Sequence, residues 1–331
     1  MSIAKKCDEP GVWDEVIHDL GGHPLQLWGW GELKATHKWS AHRILCVDDS
    51  EKVIGAAQLL VRPLPKPFTQ LVYAPRGPVW RQGREQQVVD ALATYATEEL
   101  GGVALTIEPD TETLTISGKW RQSHNRILLA RTLILDLTQN LDDLQSAMTK
   151  KTRQYIRKSS REGLYIRRVR SRNDVARCVE LYHDTAQRAR FALHDDAYYY
   201  DVHEKLGDSS VIFAAFVNDE PVAFVWLAVS SSTAFELYGG MNDKGQTLRA
   251  NYALKWHAIK TCKEWGIGRY DMNGLLNDGV SGFKQGFAHH ETQLVGTYDY
   301  PLSRFYEVWA YALPVAKRIV RRLKKLRPTK Q

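Results

Sequence analysis

This sequence predicts a mixed α/β (α+β) protein built from two similar halves. Three observations carry that expectation. The chain has 331 residues, enough for two domains of ordinary size. Its 44% hydrophobic and 25% charged content is that of a globular protein with a sizeable core. Hydrophobic periodicity and turn residues also give one order of elements twice over: helix, helix, hairpin, strand, helix, strand.

The first half opens with a short helix over 13–20, broken by Gly21-Gly22-His23-Pro24, and a second helix over 27–37. Strands over 42–47 and 53–61 flank the turn-forming residues 48–52, and Pro63, Pro65 and Pro67 end the second of them. A strand over 70–73 runs into Ala74-Pro75-Arg76-Gly77-Pro78. Val88, Leu92, Tyr95 and Leu100 give 84–100 a helical period, and strands over 104–109 and 131–137 follow Gly101-Gly102. The order then restarts. Helices are expected over 142–163, 173–190 and 198–206, with a strand over 165–169 after the first of them. A hairpin over 211–217 and 221–230 leads to a strand over 233–238. A helix over 251–265 stops at Gly266, and strands over 269–272 and 294–300 complete the half. The expected division is a first domain over 1–146, completed by a C-terminal helix over 303–331, and a second over 147–302.

Composition narrows the function classes. No run of 18 apolar residues occurs, so no transmembrane helix is expected, and the N-terminus has no apolar export segment. Cys7, Cys46, Cys178 and Cys262 are scattered without metal-ligand or redox spacing. Reduced thiols in a cytoplasmic protein, no metal and no cofactor are the expectation. The net charge of +7 is concentrated in two places. Residues 150–172 hold ten basic side chains against the single acid Glu162, and 317–330 hold eight against none. Anionic partners follow: nucleic acid, membrane headgroups or phosphorylated metabolites.

The most informative stretch runs from Ala234 to Phe287: strand, turn, amphipathic helix, strand, then the basic-aromatic loop GFKQGF. That layout resembles the donor site of acyl-CoA acyltransferases of the GNAT type. Such enzymes cradle a pyrophosphate on small residues in the turn, because a Cβ blocks backbone approach. Here Arg249 and Asn251 stand where small residues belong, so a CoA-shaped donor is disfavoured. In GFKQGF, glycines on both sides of Lys284 bring backbone close to a ligand, and Phe283 can pack on a ribose or base. The Lys284 cation can hold a terminal phosphate or a developing oxyanion; the bland alternative is a surface lysine in a turn.

Taken together, LWGWGELK (27–34), YAPRGPV (73–79), KKTRQYIRKSSREGLYIR (150–167), ELYHDTAQRARF (180–191), FELYGGM, YDMNG and GFKQGF give the chain its family character. It resembles the FemABX-type peptidoglycan aminoacyltransferases along nearly its whole length, in a compact form without their inserted helical arm. The resemblance implies two tandem GNAT-like domains with mixed central sheets. It implies aminoacyl-tRNA as donor and, as acceptor, the stem-peptide amino group of lipid II or UDP-MurNAc-pentapeptide. It also implies a direct catalytic role for Lys284 and diphosphate binding by Lys34 and Arg188. One Lys and one Arg from different domains could clamp a diphosphate, with Arg190 adding a contact where the family has glycine. Ala288-His289 replaces the family's Gly-Gly after the lysine motif.

Four further residues are candidates from their positions alone. Tyr73, Arg76 and Tyr238 lie at strand ends, where they either contact acceptor or donor or simply pack. Asp271 follows the amphipathic helix and is a candidate proton acceptor, with turn capping as the alternative. Lys150, Lys151, Arg153, Arg157 and Arg161 lie on one expected helix, where the arginines recur every four residues and suit a tRNA acceptor stem. The basic amphipathic C-terminal segment suits an anionic membrane surface or packing on the first domain. The rival readings are a CoA-dependent N-acyltransferase and a non-catalytic nucleic-acid- or membrane-binding module.

Overall fold

The computed structural model describes residues 2–189, 191–276, 279–312 and 314. It resolves into two compact units, each built from discontinuous segments. The first comprises residues up to 13, 34–130 and those from 294 on; the second comprises 14–33 and 131–293. Residues 131–146, read from the sequence as the end of the first half, thus belong to the second unit, and 294–302 to the first.

In the first unit, Ile3–Lys6, Ser40–Val47, Val53–Pro63, Gln70–Ala74, Ala104–Ile107, Tyr298–Pro301 and Arg121–Gln122 pair in that order, and Val79–Trp80 adds to Val53–Pro63. Every pairing is antiparallel except Gln70–Ala74 with Ala104–Ile107, which the helix Glu85–Tyr95 connects. That helix places Val88, Val89 and Leu92 in a core with Ile44, Ile54, Leu59 and Leu105. The second unit repeats the scheme with Tyr165–Val169, Ser210–Val217, Glu220–Val229, Thr233–Met241, Arg269–Asp271 and Ile134–Asp136. Its parallel pair is Thr233–Met241 with Arg269–Asp271, joined through the helix Ala250–Glu264, which buries Ala250, Leu254, Ala258, Ile259 and Cys262. A parallel pair needs a crossover, and an amphipathic helix supplies it while covering one sheet face. In both sheets the strand beyond the parallel pair runs antiparallel to it.

Most expected elements are found, with several shifts that have physical causes. The helix expected over 142–163 is two helices, Leu141–Ser146 and Lys150–Ser159. Thr149 caps the second, its side chain accepting from the Thr152 amide at 3.2 Å. Residues 84–100 are α-helical only to Tyr95; Ala96–Leu100 form a π-turn ending at Gly101 with φ +67°. The expected loop around Lys284 is a helix, Gly279–Gln285. Phe283 packs edge-on against Tyr252 and Phe287, with ring centroids at 4.9 and 5.3 Å. That packing offsets the roughly 1 kcal/mol that Gly282 costs in the helix interior. The strand expected over 131–137 is split into Arg131–Thr132 and Ile134–Asp136, and that over 294–300 is confined to Tyr298–Pro301. A helix does follow, from residue 306, and packs Trp309 on Phe68 within the first unit. The basic residues 317–330 lie outside the described residues. No helix among the described residues is long and apolar enough to cross a membrane.

Candidate active site

The site is built on the parallel pair of the second unit. Thr233–Met241 pairs with Arg269–Asp271 only through Thr233, Ala234 and Phe235. On its other edge the register against Glu220–Val229 slips, with Trp226 opposite Tyr238 and Leu227 opposite Glu236. Leu237 is the extra residue of a β-bulge, which bends the strand and re-aims its side chains. From Glu236 onward no described strand pairs with it on the Arg269–Asp271 side, and a cleft of about 700 Å³ opens there. Apolar and aromatic side chains dominate its wall, with Arg188, Glu236, Lys255 and Lys284 as the charged groups among its described residues. No Ser, Cys or His is among the described residues that line it.

Lys284 sits in the last turn of Gly279–Gln285. Its Nζ donates to the carbonyl oxygens of Asn273 and Gly274 at 3.2 and 3.1 Å. Asn273 has φ +61°, a left-handed turn that aims both carbonyls at the lysine, and its Nδ2 donates to the Glu236 carbonyl at 2.9 Å. The ammonium is thus pinned by backbone dipoles at the mouth of the free strand edge. Beneath it, Glu236 and Lys255 form an ion pair, 8% and 6% exposed. The Lys255 Nζ lies 5.4 Å from the Phe283 ring centroid. This pair escaped the sequence reading; its signals were a lone acid inside the apolar strand TAFELY and a lysine on the buried face of the helix.

Tyr238 lines the same cleft, its ring meeting Tyr182, Tyr199 and Trp226 at 5.5, 5.2 and 5.6 Å. Burial first, and then the neighbouring phenols, push its ionisation well above the usual range, so it acts as a neutral hydroxyl. Arg188 pairs with Asp243 at 3.0 Å and donates to the Met241 carbonyl, fixing the end of the strand. The helix bearing it approaches the strand closely at Gly240, where a Cβ would meet Thr185 Oγ1 at 2.7 Å. Arg188, Tyr238, Phe283 and Lys284, four of the residues picked from sequence, therefore meet in one place.

The others are placed elsewhere. Asp271 is fully buried, and its Oδ1 accepts from the Thr132 hydroxyl at 2.5 Å and the Asn273 amide at 2.7 Å. It shapes the turn under Lys284 and does not line the cleft, which corrects its assignment as proton acceptor. Tyr73 and Arg76 are interior residues of the first unit, corrected from strand-end ligand contacts. Tyr73 donates to the buried Glu108, and Arg76 is 2% exposed and donates to the Leu129 carbonyl. Lys34 is half-buried in the last turn of Trp28–Ala35. Arg190 lies outside the described residues.

Of the basic residues, Lys150, Lys151 and Arg157 are exposed on Lys150–Ser159, and Arg161 is exposed in the turn after it. Arg153 is corrected: its Nη1 donates to the carbonyls of Gln145, Ser146 and Met148, closing the end of the preceding helix. The helix is seated against the Lys284 segment, with the Thr149 amide donating to the Gly286 carbonyl at 2.9 Å. A Cβ on Gly286 would collide with Thr152 Oγ1, so only glycine allows this approach. An aromatic chain of Tyr155, Tyr252 and Phe283, with centroids 5.0 and 4.9 Å apart, links the helix to the cleft. Arg153→Ala is expected to cost about 1–3 kcal/mol of stability by leaving those carbonyls unpaired. Arg157→Ala should leave stability within about 0.5 kcal/mol. Thermal melts distinguish the two.

The turn before Ala250–Glu264 is not a pyrophosphate cradle. Asp243–Thr247 forms a short helix, and the amides of Gln246, Leu248 and Arg249 donate to Asn242, Lys244 and Gln246. Arg249 adopts φ +54°, with its guanidinium 4.3 Å from the Tyr155 ring centroid. Those amides are therefore spent within the segment. All four cysteines are free and buried, and burial pushes the thiols of Cys46, Cys178 and Cys262 up to about 12. Those three offer no thiolate nucleophile near neutral pH.

The FemAB family profile matches residues 18–125, 124–223 and 219–313, and the chain belongs to that family. It is a transferase. A lipid II:glycine glycyltransferase of Staphylococcus aureus (strain USA300) is 24% identical over 378 aligned residues, covering 86% of this chain and 89% of its own. That alignment is longer than the present chain, so the relative carries inserted segments that this chain lacks. The crystal structure of FemX superposes with a TM-score of 0.80 at 20% identity, covering 92% of this chain and all of its own. A tandem GNAT protein from the clavulanic acid biosynthesis pathway gives 0.51 at 11% identity, covering 92% and 98%. The fold is thus the tandem acetyltransferase-like one.

Proposed function

We propose that this chain transfers an aminoacyl group from aminoacyl-tRNA to the stem-peptide amino group of a peptidoglycan precursor, forming an interpeptide bridge. The observation that supports it most is the cleft itself: cations around a largely apolar opening, with no Ser, Cys or His among the described residues of its wall. An aminoacyl ester is already activated, so its capture by an amine needs positioning, removal of one proton and stabilisation of the oxyanion. Lys284 is the group for the oxyanion or the terminal phosphate of the RNA. In this reading Arg188 contacts an anionic acceptor, and Lys150, Lys151, Arg157 and Arg161 contact the RNA backbone. The family membership and the glycyltransferase relative point to a lipid-linked acceptor such as lipid II, with UDP-MurNAc-pentapeptide as the soluble counterpart. A protein that works on a lipid-linked acceptor would act at the inner membrane face.

Incubation with mixed aminoacyl-tRNAs and each acceptor, followed by mass analysis, tests the reading. One or more amino-acid residues should be added to the acceptor, while acetyl-CoA yields no product and CoA shows no saturable binding. Mass gain on neither acceptor would overturn the proposal. Acetyl transfer from CoA would favour the N-acyltransferase reading.

A further inference from the structure

We propose that Glu236 is the proton acceptor of the transfer reaction, with Lys255 balancing its charge. The inference rests on the aminoacyl-transfer reading and adds to it the group that reading lacks. Among the described residues lining the cleft, Glu236 is the one carboxylate. The rival carboxylates are elsewhere: Asp243 is bound to Arg188 outside the lining, and the Asp271 side chain is enclosed by the Thr132 hydroxyl and the Asn273 amide. Glu236 stands at the first position of the free strand edge, where the bulge turns it into the opening.

A carboxylate is costly in so apolar a wall unless it is paired, and Lys255 supplies the pair from the floor helix. The same residue, Asn273, binds the Glu236 carbonyl through Nδ2 and the Lys284 ammonium through its own carbonyl. Proton acceptor and oxyanion-binding cation are therefore held in register by one side chain and one turn.

The step balances without any further reactant. The free amine of the acceptor attacks the ester carbonyl, a C–N bond forms, and the carbonyl electron pair moves onto the oxygen facing Lys284. The nitrogen now carries one proton too many, and Glu236 takes it. The oxyanion collapses, the C–O bond to the ribose breaks, and the departing ribose oxygen receives the proton from Glu236. The carboxylate returns to its starting state, and the products are an amide and a free terminal hydroxyl.

Glu236→Gln keeps shape and removes the acceptor. It is expected to lower the single-turnover transfer rate about 100-fold at pH 7, with KM for both substrates within about twofold. It also leaves Lys255 buried and unpaired, so its melting temperature should fall. The double variant Glu236→Gln with Lys255→Met removes that unpaired charge, so stability should return while the rate stays low. Recovery of rate together with stability in the double variant would mean that the pair only holds the fold, and the inference would fail. Wild-type rates in Glu236→Gln would likewise end it while leaving the transfer reading intact. Absence of transfer by the wild-type chain would remove both.

Discussion

Lys284→Ala is expected to reduce aminoacyl transfer by about 10²–10³-fold while tRNA affinity stays within about twofold. The expectation follows from how the ammonium is held. Two backbone carbonyls at 3.2 and 3.1 Å fix its position before any substrate arrives, so little reorganisation is needed when charge develops on the ester oxygen. The helix carrying it is in turn clamped by Phe283 on Tyr252 and by Gly286 against Thr149 and Thr152. Lys284→Arg keeps the charge but not the compact geometry, so it should recover only part of the loss. Single-turnover transfer, measured beside filter binding of tRNA, reads both quantities. An unchanged transfer rate in Lys284→Ala would exclude the catalytic assignment. Retained RNA affinity with lost transfer would exclude a purely binding module.

Glu108→Ala is expected to lower stability by about 3–5 kcal/mol, the second large effect. This carboxylate is buried in the first unit, where it accepts from the Tyr73 hydroxyl at 2.5 Å and the Thr297 hydroxyl at 2.6 Å. It also accepts from the amides of Ile127 and Leu128 at 2.9 and 3.1 Å. Thr297 immediately precedes the last strand of that sheet, so Glu108 ties the 294–301 segment to the end of the parallel pair. Removing it strands several buried donors at once. For a unit of this size the loss corresponds to a fall in melting temperature of about 10 °C. Tyr73→Phe removes one donor and should cost about 1–2 kcal/mol. A drop of only a degree or two in Glu108→Ala would show that water or side-chain rearrangement satisfies those donors. Activity lost without stability lost in Tyr73→Phe would restore Tyr73 as a ligand contact.

Much of the site was legible because its residues break local rules. Lys284 between glycines and aromatics, and Arg249 where a cradle needs glycine, are visible without any fold. Glu236 could have been caught by the same logic, as an acid inside an apolar strand. The sequence offered no comparable cue for Tyr73, Arg76 and Asp271. A Tyr or Asp at a strand end reads the same whether it faces a ligand or a buried hydroxyl, and only the Glu108 and Thr132 partners resolve it. Arg153 likewise fits a basic stripe by spacing alone. Its guanidinium turns back to the carbonyls of residues 145–148 because a helix end needs donors more than the solvent-facing stripe does.

The sequence by itself determined most element types, the repeated order, the absence of a pyrophosphate cradle and the basic-aromatic lysine motif, because each rests on local periodicity or on one residue's backbone freedom. Tertiary structure decided which sheet each edge strand joins, since a short strand such as Ile134–Asp136 carries no signal of its partner until Leu135 meets Tyr270. It also decided that the lysine segment is helical and that Glu236 faces the opening. Both follow from long-range packing, of Phe283 on Tyr252 and of a one-residue bulge against Trp226 and Leu227, which no local pattern encodes.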